Sequence, residues 1–231
     1  MRKIVKLFKK GSVSVFGLRG SGKDMLFANV VARRKEPYVS NTNYGGEFIK
    51  FDPSQLNANN TWRNFMTGNL NKFVYPFPDG IDFYIADGGV YMPSQHQGEL
   101  CKEYGHIPVF MALSRHLGDA NVHFNVQALG RMWDKIREQS EIYIRCCWCK
   151  VFFKRLVIQK VILYEKYDSA CNKVPPFRLR RPLLNAERVQ RWEIQKSSYD
   201  ISYGEVKPRL LIYLNKSNYN TRVFKEMLEN A

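Results

Sequence analysis

The chain has 231 residues and 45% hydrophobic content, enough for one α/β domain with additions and a sizeable core. Its 36 Lys and Arg against 21 Asp and Glu leave a net charge of +15, which favours nucleic acid or an anionic membrane as partner. A basic host proteome gives the same excess, so charge alone does not choose. No stretch reaches the ~18 apolar residues of a membrane helix; the runs around Leu156–Leu163 and Pro108–Leu113 are short or interrupted.

Residues 1–10 are a basic lead-in without the apolar centre of a signal peptide, with Ile4, Leu7 and Phe8 on one side of an amphipathic turn. Residues 11–16 are predicted as the first strand and 23–35 as the first helix, ended by Glu36-Pro37. Between them lies Gly17-Leu18-Arg19-Gly20-Ser21-Gly22-Lys23-Asp24, a G-x-x-x-x-G-K spacing between strand and helix. Glycines lacking Cβ let backbone N–H groups turn inward around a phosphate, the helix N-terminus adds partial positive charge, and Lys23 reaches the β- and γ-phosphates. The bland alternative is a glycine turn without a ligand. After the lysine, the usual Ser or Thr ligand of Mg²⁺ is replaced by Asp24, itself a hard oxygen ligand. Near phosphates that carboxylate must act through the metal or face away.

Tyr38–Asn41 reads as a second strand and Asn41 to Gly46 as loop. Thr61–Phe65 is a short predicted helix, and Phe73–Pro76 a short apolar run ending in a turn. Ile81–Ile85 is a strand that runs into Asp87, the position from which a P-loop protein holds its metal. An ordinary buried strand with a capping aspartate is the alternative. Gly88 stands where many ATPases carry a glutamate that polarises water; Glu99 and Glu103 are substitutes the sequence cannot place. Gln95–Arg115 is predicted helical, broken at Gly105 and Pro108. Asn121–Gln127 is a strand whose final amide, Gln127, is a candidate for the γ-phosphate or the attacking water, or else caps a loop.

Arg131–Glu138 is a short predicted helix. Arg137, and less so Arg131, is a candidate arginine finger for a neighbouring subunit, or is paired with Asp134 or Glu141. Ile142–Phe153 and Leu156–Tyr164 form a hairpin or adjacent strands. The five cysteines are expected reduced; the C-x-x-C of Cys146 and Cys149 lacks a second pair or a histidine at zinc spacing and reads as packed thiols. After a basic, proline-bounded linker at 175–182 come a helix at Leu183–Lys196, a strand at Arg209–Leu214 and a helix at Val223–Glu229. The expected division is a P-loop domain over 1–168 and a C-terminal extension over 169–231.

Gly17–Asp24, Ile85–Pro93, Ser114-Arg115-His116, Val126-Gln127 and then Arg137 together resemble the zonular occludens toxin (Zot) family, assembly ATPases of filamentous phages and related mobile elements. The resemblance covers about residues 11–145. It implies a mainly parallel α/β sheet with flanking helices of the FtsK/HerA kind, extended here by a C-terminal β-hairpin and helical segment. It implies ATP and Mg²⁺, with Gly17, Leu18, Arg19, Gly20, Ser21, Gly22, Lys23 and Asp24 around the phosphates and Asp24 and Asp87 at the metal. Lys23, Asp87, Gln127 and Arg137 are its catalytic set. It further implies a homo-oligomeric ring that exports or threads DNA, a single-stranded phage or plasmid genome, during assembly at the inner membrane. The family's phage members carry a membrane span after the ATPase part; this chain has none, so a cytoplasmic protein, peripheral at the inner membrane beside a membrane-embedded partner, is expected. Three functions remain open: a DNA-handling ATPase, a nucleotide-binding scaffold without turnover (motivated by Gly88), and a small-molecule kinase. The last lacks an arginine-rich lid and leaves the charge unexplained.

Overall fold

A computed structural model describes residues 1–51, 67–69, 75–86, 107–128, 140, 142–153, 155–168, 201–203 and 207–217. Its elements are α1 (Arg2–Phe8), β1 (Val13–Phe16), α2 (Lys23–Arg34), β2 (Tyr38–Ser40), β3 (Phe48–Lys50), β4 (Phe83–Ile85) and α3 (Ile107–Gly118), then β5 (Val122–Val126), β6 (Ile142–Phe152), β7 (Leu156–Asp168), β8 (Ile201–Tyr203) and β9 (Lys207–Leu214).

The sheet runs β3-β2-β4-β5-β1-β6-β7-β8, with β9 also paired to β7. The six strands from β3 to β6 are mutually parallel. β1 lies in their interior, and all four of its residues are buried, as expected for a strand covered on both faces. Val13 and Val15 share a core with Ile4 and Phe8 of α1 and Leu26, Phe27 and Val30 of α2. On the alternate positions, Ser14 lies opposite Phe124 in register, and its hydroxyl meets that of Ser140 at 2.5 Å.

α1 extends the expected amphipathic turn into a seven-residue helix. Ile4 and Phe8, one turn apart, are buried, and the Phe8 ring stacks on Tyr84 at 6.1 Å and meets Phe27 edge-on at 5.8 Å. These contacts fix α1 against α2, the helix that follows the glycine loop.

The helix predicted over Gln95–Arg115 is described only from Ile107, and it runs on to Gly118. Pro108 falls in the first turn of the described helix, where a missing N–H is tolerated, and Gly105 lies outside the described residues. Asp119, at φ 46°, turns the chain out of the helix. β3 and β8 are strands that local patterning did not announce. The strand at 207–214 joins the main sheet, pairing Leu156 with Leu214 and Lys160 with Leu210. The predicted elements at 61–65, 131–138, 183–196 and 223–229, residues 73 and 74 of the run at 73–76, and the part of the helix from 95 to 106 lie outside the described residues.

Candidate functional site

The glycine loop leaves the C-terminal end of β1 and enters α2 at Lys23. Gly17, Gly20 and Gly22 all have positive φ, at 151°, 79° and 86°. For Gly17 and Gly22 the requirement is also steric. A Cβ on Gly17 runs into the Cys146 carbonyl of β6, and one on Gly22 meets Cys149 Cβ at 2.5 Å and Gln159 Nε2 at 2.9 Å. Gly22 caps α2 in left-handed backbone, without a side-chain cap of its own. Lys23 is buried, and its ammonium donates back to the Leu18 carbonyl at 3.3 Å. Leu18, Arg19 and Gly20 form the exposed crest. Ser21 is buried beneath them, its Oγ without a hydrogen-bond partner.

Asp24 lies in the first turn of α2 and faces the sheet. Asn125 Nδ2, from β5, donates to its Oδ1 at 2.5 Å, and the Tyr44 hydroxyl donates to the same oxygen at 3.4 Å. Asn125 is buried, and its own Oδ1 has no hydrogen-bond partner. Sequence reasoning singled out Gln127 as the polar residue at the end of β5. Gln127 lies one residue past the strand and is exposed, whereas Asn125 is the β5 amide that reaches the loop's helix. The missed signal is parity: His123 and Asn125 alternate with Val122, Phe124 and Val126, which places two polar side chains on the α2 side of a buried strand.

The loop is gripped from its other side by β7. Gln159 is fully buried; its Nε2 donates to the Gly22 carbonyl at 2.9 Å and the Ser21 carbonyl at 3.3 Å. Its Oε1 accepts from the Tyr213 hydroxyl of β9 at 2.9 Å. The hairpin therefore ties the late strand β9 to the glycine loop through one amide. This residue too was legible in principle, as the lone polar member of the inward set Val157, Gln159, Val161. Burial raises the Cys146 thiol well above its ordinary value, so it stays protonated and packs as an apolar group beside the amide.

Asn41 holds the end of β4: its side chain accepts from the Ala86 N–H and donates to the Ala86 carbonyl, both at 2.8 Å. Asp87, the next residue, lies outside the described residues, as do Gly88 and Arg137. β5 intervenes between β1 and β4, so the strand leading to Asp87 is one removed from the loop's strand rather than beside it.

A buried parallel strand, a glycine loop in left-handed backbone, a lysine at its mouth and a helix aimed at it are now all in place. The fold is that of a P-loop NTPase. No family model matches the chain, and neither does any curated protein. Among solved structures it is similar to the N-terminal domain of zonular occludens toxin from Neisseria meningitidis, at 10% identity and TM-score 0.47, over 93% of this chain and 97% of that one. It is also similar to the genome-packaging NTPase B204 of Sulfolobus turreted icosahedral virus 2 in complex with AMPPCP, at 13% identity and TM-score 0.40, over 58% of this chain and 73% of that one. A third is the FIGL-1 AAA domain, at 14% identity and TM-score 0.37, over 62% and 48%.

The P-loop geometry suits a polyphosphate. Its N–H groups and lysine are donors only, its glycines leave no side chain in the cradle, and Ser21 adds an unpartnered hydroxyl. The oxygen donors beside it, the Asp24 carboxylate and the unpartnered Asn125 Oδ1, suit a hard cation. Among the described residues no cluster of three or more His, Cys, Asp or Glu is placed to hold a metal by itself. A cation here would therefore share its ligands with the phosphates.

Proposed function

We propose that this chain is a Zot-like ATP-binding motor protein whose ATP hydrolysis is coupled to DNA export, packaging or virion assembly of a phage or mobile element. The observation that carries the reading is the left-handed glycine loop closing on Lys23 at the head of α2. Lys23 binds the β- and γ-phosphates as a mobile point charge, leaving the Leu18 carbonyl. The loop N–H groups from Gly17 to Asp24 and the first turn of α2 fix the phosphate chain. Asp24 and Asp87 hold Mg²⁺, which supplies charge neutralisation of the developing leaving group. Asn125 orients Asp24 for that role. Gln127 contacts the γ-phosphate or the attacking water, and Arg137 reaches a neighbouring subunit's nucleotide in a homo-oligomeric ring. The +15 charge supplies the DNA-facing surface, and binding through it weakens steeply with salt.

The decisive experiment measures ATP affinity and ATP turnover with and without DNA, for the wild type and Lys23→Ala. Binding and DNA-stimulated turnover, both lost in the variant, are expected. A wild type that binds no nucleotide overturns the reading. Mass measured with and without ATP tests the ring.

Gly88, in place of the glutamate that activates water, favours a second reading: a nucleotide-binding assembly scaffold that does not turn over efficiently. Tight ATP binding without hydrolysis, with turnover gained by Gly88→Glu, distinguishes it from the motor. Phosphate transfer to a metabolite without DNA dependence would instead identify a kinase.

A further inference from the structure

The strands that grip the P-loop have a second face. Along β7 and β9, Val157, Gln159, Leu211 and Tyr213 point into the core and are buried. Their alternates point out. In register, Phe152, Leu156 and Leu214 form one outward row at the tip of the hairpin, and Ile158 pairs with Ile212 in the next. Ile212 and Leu214 are 59% and 60% exposed, and Leu210 continues their line. At the turn itself Phe153 is 93% exposed. Its backbone is left-handed at φ 49°, a conformation that bulky residues rarely adopt. The turn is nevertheless held in place: Arg155 N–H donates to the Phe152 carbonyl at 3.1 Å, and Asn215 N–H donates to the Arg155 carbonyl at 2.6 Å. An aromatic ring is thus presented to solvent from a pinned turn.

The charges around this face have one sign. Residues 142–164 and 207–217 contain eight Lys and Arg and no Asp or Glu. Lys150 and Lys160 stand on the outward face, and Arg155 sits at the turn; all three are exposed. Trp148 is the outward residue paired with Lys160, four residues back from Phe152 and so roughly 13 Å along the strand. From the tip, the first row is Phe152, Leu156 and Leu214, the second joins Lys150 to Ile158 and Ile212, and the third joins Trp148 to Lys160 and Leu210.

We propose that the tip and outward face of the β6–β7–β9 sheet dock on an anionic lipid bilayer. Phe152, Phe153 and Leu214 enter the boundary of the acyl region, while Lys150 and Lys160 meet lipid phosphates. Arg155 extends its head back to the same level, and Trp148 lies at the depth where an amphipathic ring is best solvated. The face suits the other occupants less well. A second copy would bring Lys150, Lys160 and Arg155 against their own kind, with no Asp or Glu among residues 142–164 and 207–217 to pair them. Single-stranded nucleic acid would stack on Trp148, Phe152 and Phe153 but would leave the exposed aliphatic side chains of Leu210, Ile212 and Leu214 in water, whereas a bilayer takes up both kinds. The inference does not depend on nucleotide binding, which uses the opposite face of the same strands.

The test is co-sedimentation of the full chain with vesicles of neutral phosphatidylcholine, and with the same vesicles carrying phosphatidylglycerol. Binding only to the anionic vesicles, falling as salt rises, is expected. Phe153→Ser should weaken it about tenfold by removing the inserted ring. Lys150→Glu with Arg155→Glu should weaken it by at least about fivefold per cation removed. Both variants change exposed side chains, so unchanged thermal unfolding and unchanged ATP affinity show that the fold is intact and separate this proposal from the nucleotide reading. No binding to anionic vesicles overturns the proposal, and so does binding that both variants retain. Oligonucleotide binding or dimerisation that Phe153→Ser abolishes, in a chain that ignores vesicles, also overturns it and assigns the face to nucleic acid or to a second copy.

Discussion

Asn125 on β5 donates to Asp24 in the first turn of α2 at 2.5 Å, so the residue that departs from the usual P-loop pattern is held by a strand amide. A carboxylate beside a phosphate site is repelled unless a cation or donors balance it, and here two donors, Asn125 and Tyr44, converge on one of its oxygens. Asn125→Leu should cost roughly 1.5–3 kcal/mol, the range for a hydrogen bond to a charged group. Urea unfolding measures the stability. ATP affinity in magnesium and in chelator measures the site, and the variant should lose affinity mainly in magnesium. Equal loss under both conditions would separate Asp24 from the cation.

Two glycines of the loop should respond differently to the same substitution. Gly20→Ala enters open space, so only the left-handed backbone opposes it, at roughly 1 kcal/mol. Gly22→Ala faces that backbone term and also the clash with Cys149 and Gln159. It should destabilise more and abolish ATP binding, while Gly20→Ala weakens binding only in part. Thermal unfolding and nucleotide titration of the two variants check the order.

This division follows what was legible in the sequence. The loop, the strand before it and the helix after it were readable because glycine spacing and helical periodicity are local. The pairing of β6 with β7 was readable because two long runs rich in Ile, Val, Phe, Tyr and Cys flank a short turn. Asn125 and Gln159 were not assigned, because their roles depend on which strands become neighbours of β1 and on parity within those strands. Gln127 was singled out on strand-end position alone; it lies one residue past β5 and is exposed. β3 and β8, three residues each, were too short to show a period.

The link from β9 to the P-loop predicts a long-range effect of Tyr213. Tyr213→Phe removes the donor to Gln159 Oε1 and should cost roughly 0.5–1.5 kcal/mol. Gln159→Leu should cost more, because Tyr213 and the Gly22 carbonyl both lose a buried partner. If the amide positions the loop, ATP affinity should fall in both variants, although neither side chain touches phosphate. A double-mutant cycle on affinity should show coupling between the two. Additive effects would reduce Tyr213 to packing.

At the other end of the strands, Asp82 is buried among Arg34, His123 and the Asn121 N–H, and it predicts how stability depends on acid. Burial alone would raise its carboxyl. His123 at 3.5 Å, the Arg34 guanidinium and the Asn121 N–H at 2.8 Å outweigh that and hold it at about 2. Asp82 sits at the start of β4, away from the P-loop end, so this network is structural. A carboxyl depressed on folding stabilises the native state above its unfolded pKa of roughly 3.9, and the contribution, roughly 2 kcal/mol, is lost as pH falls from about 4 to 2. His123 adds a drop at higher pH. Its Nδ1 accepts from the Val13 N–H at 3.2 Å and burial lowers its pKa, so the unfolded chain takes up a proton first as pH falls below roughly 6.5. Unfolding free energy followed from pH 7 to 2 should therefore decline in two stages. Asp82→Asn should lose roughly 3–5 kcal/mol at pH 7, the usual cost of removing one partner from a buried ion pair, and should lack the stage below pH 4. A variant as stable as the wild type at pH 7, or one that keeps the lower stage, would show that Asp82 does not hold the sheet together.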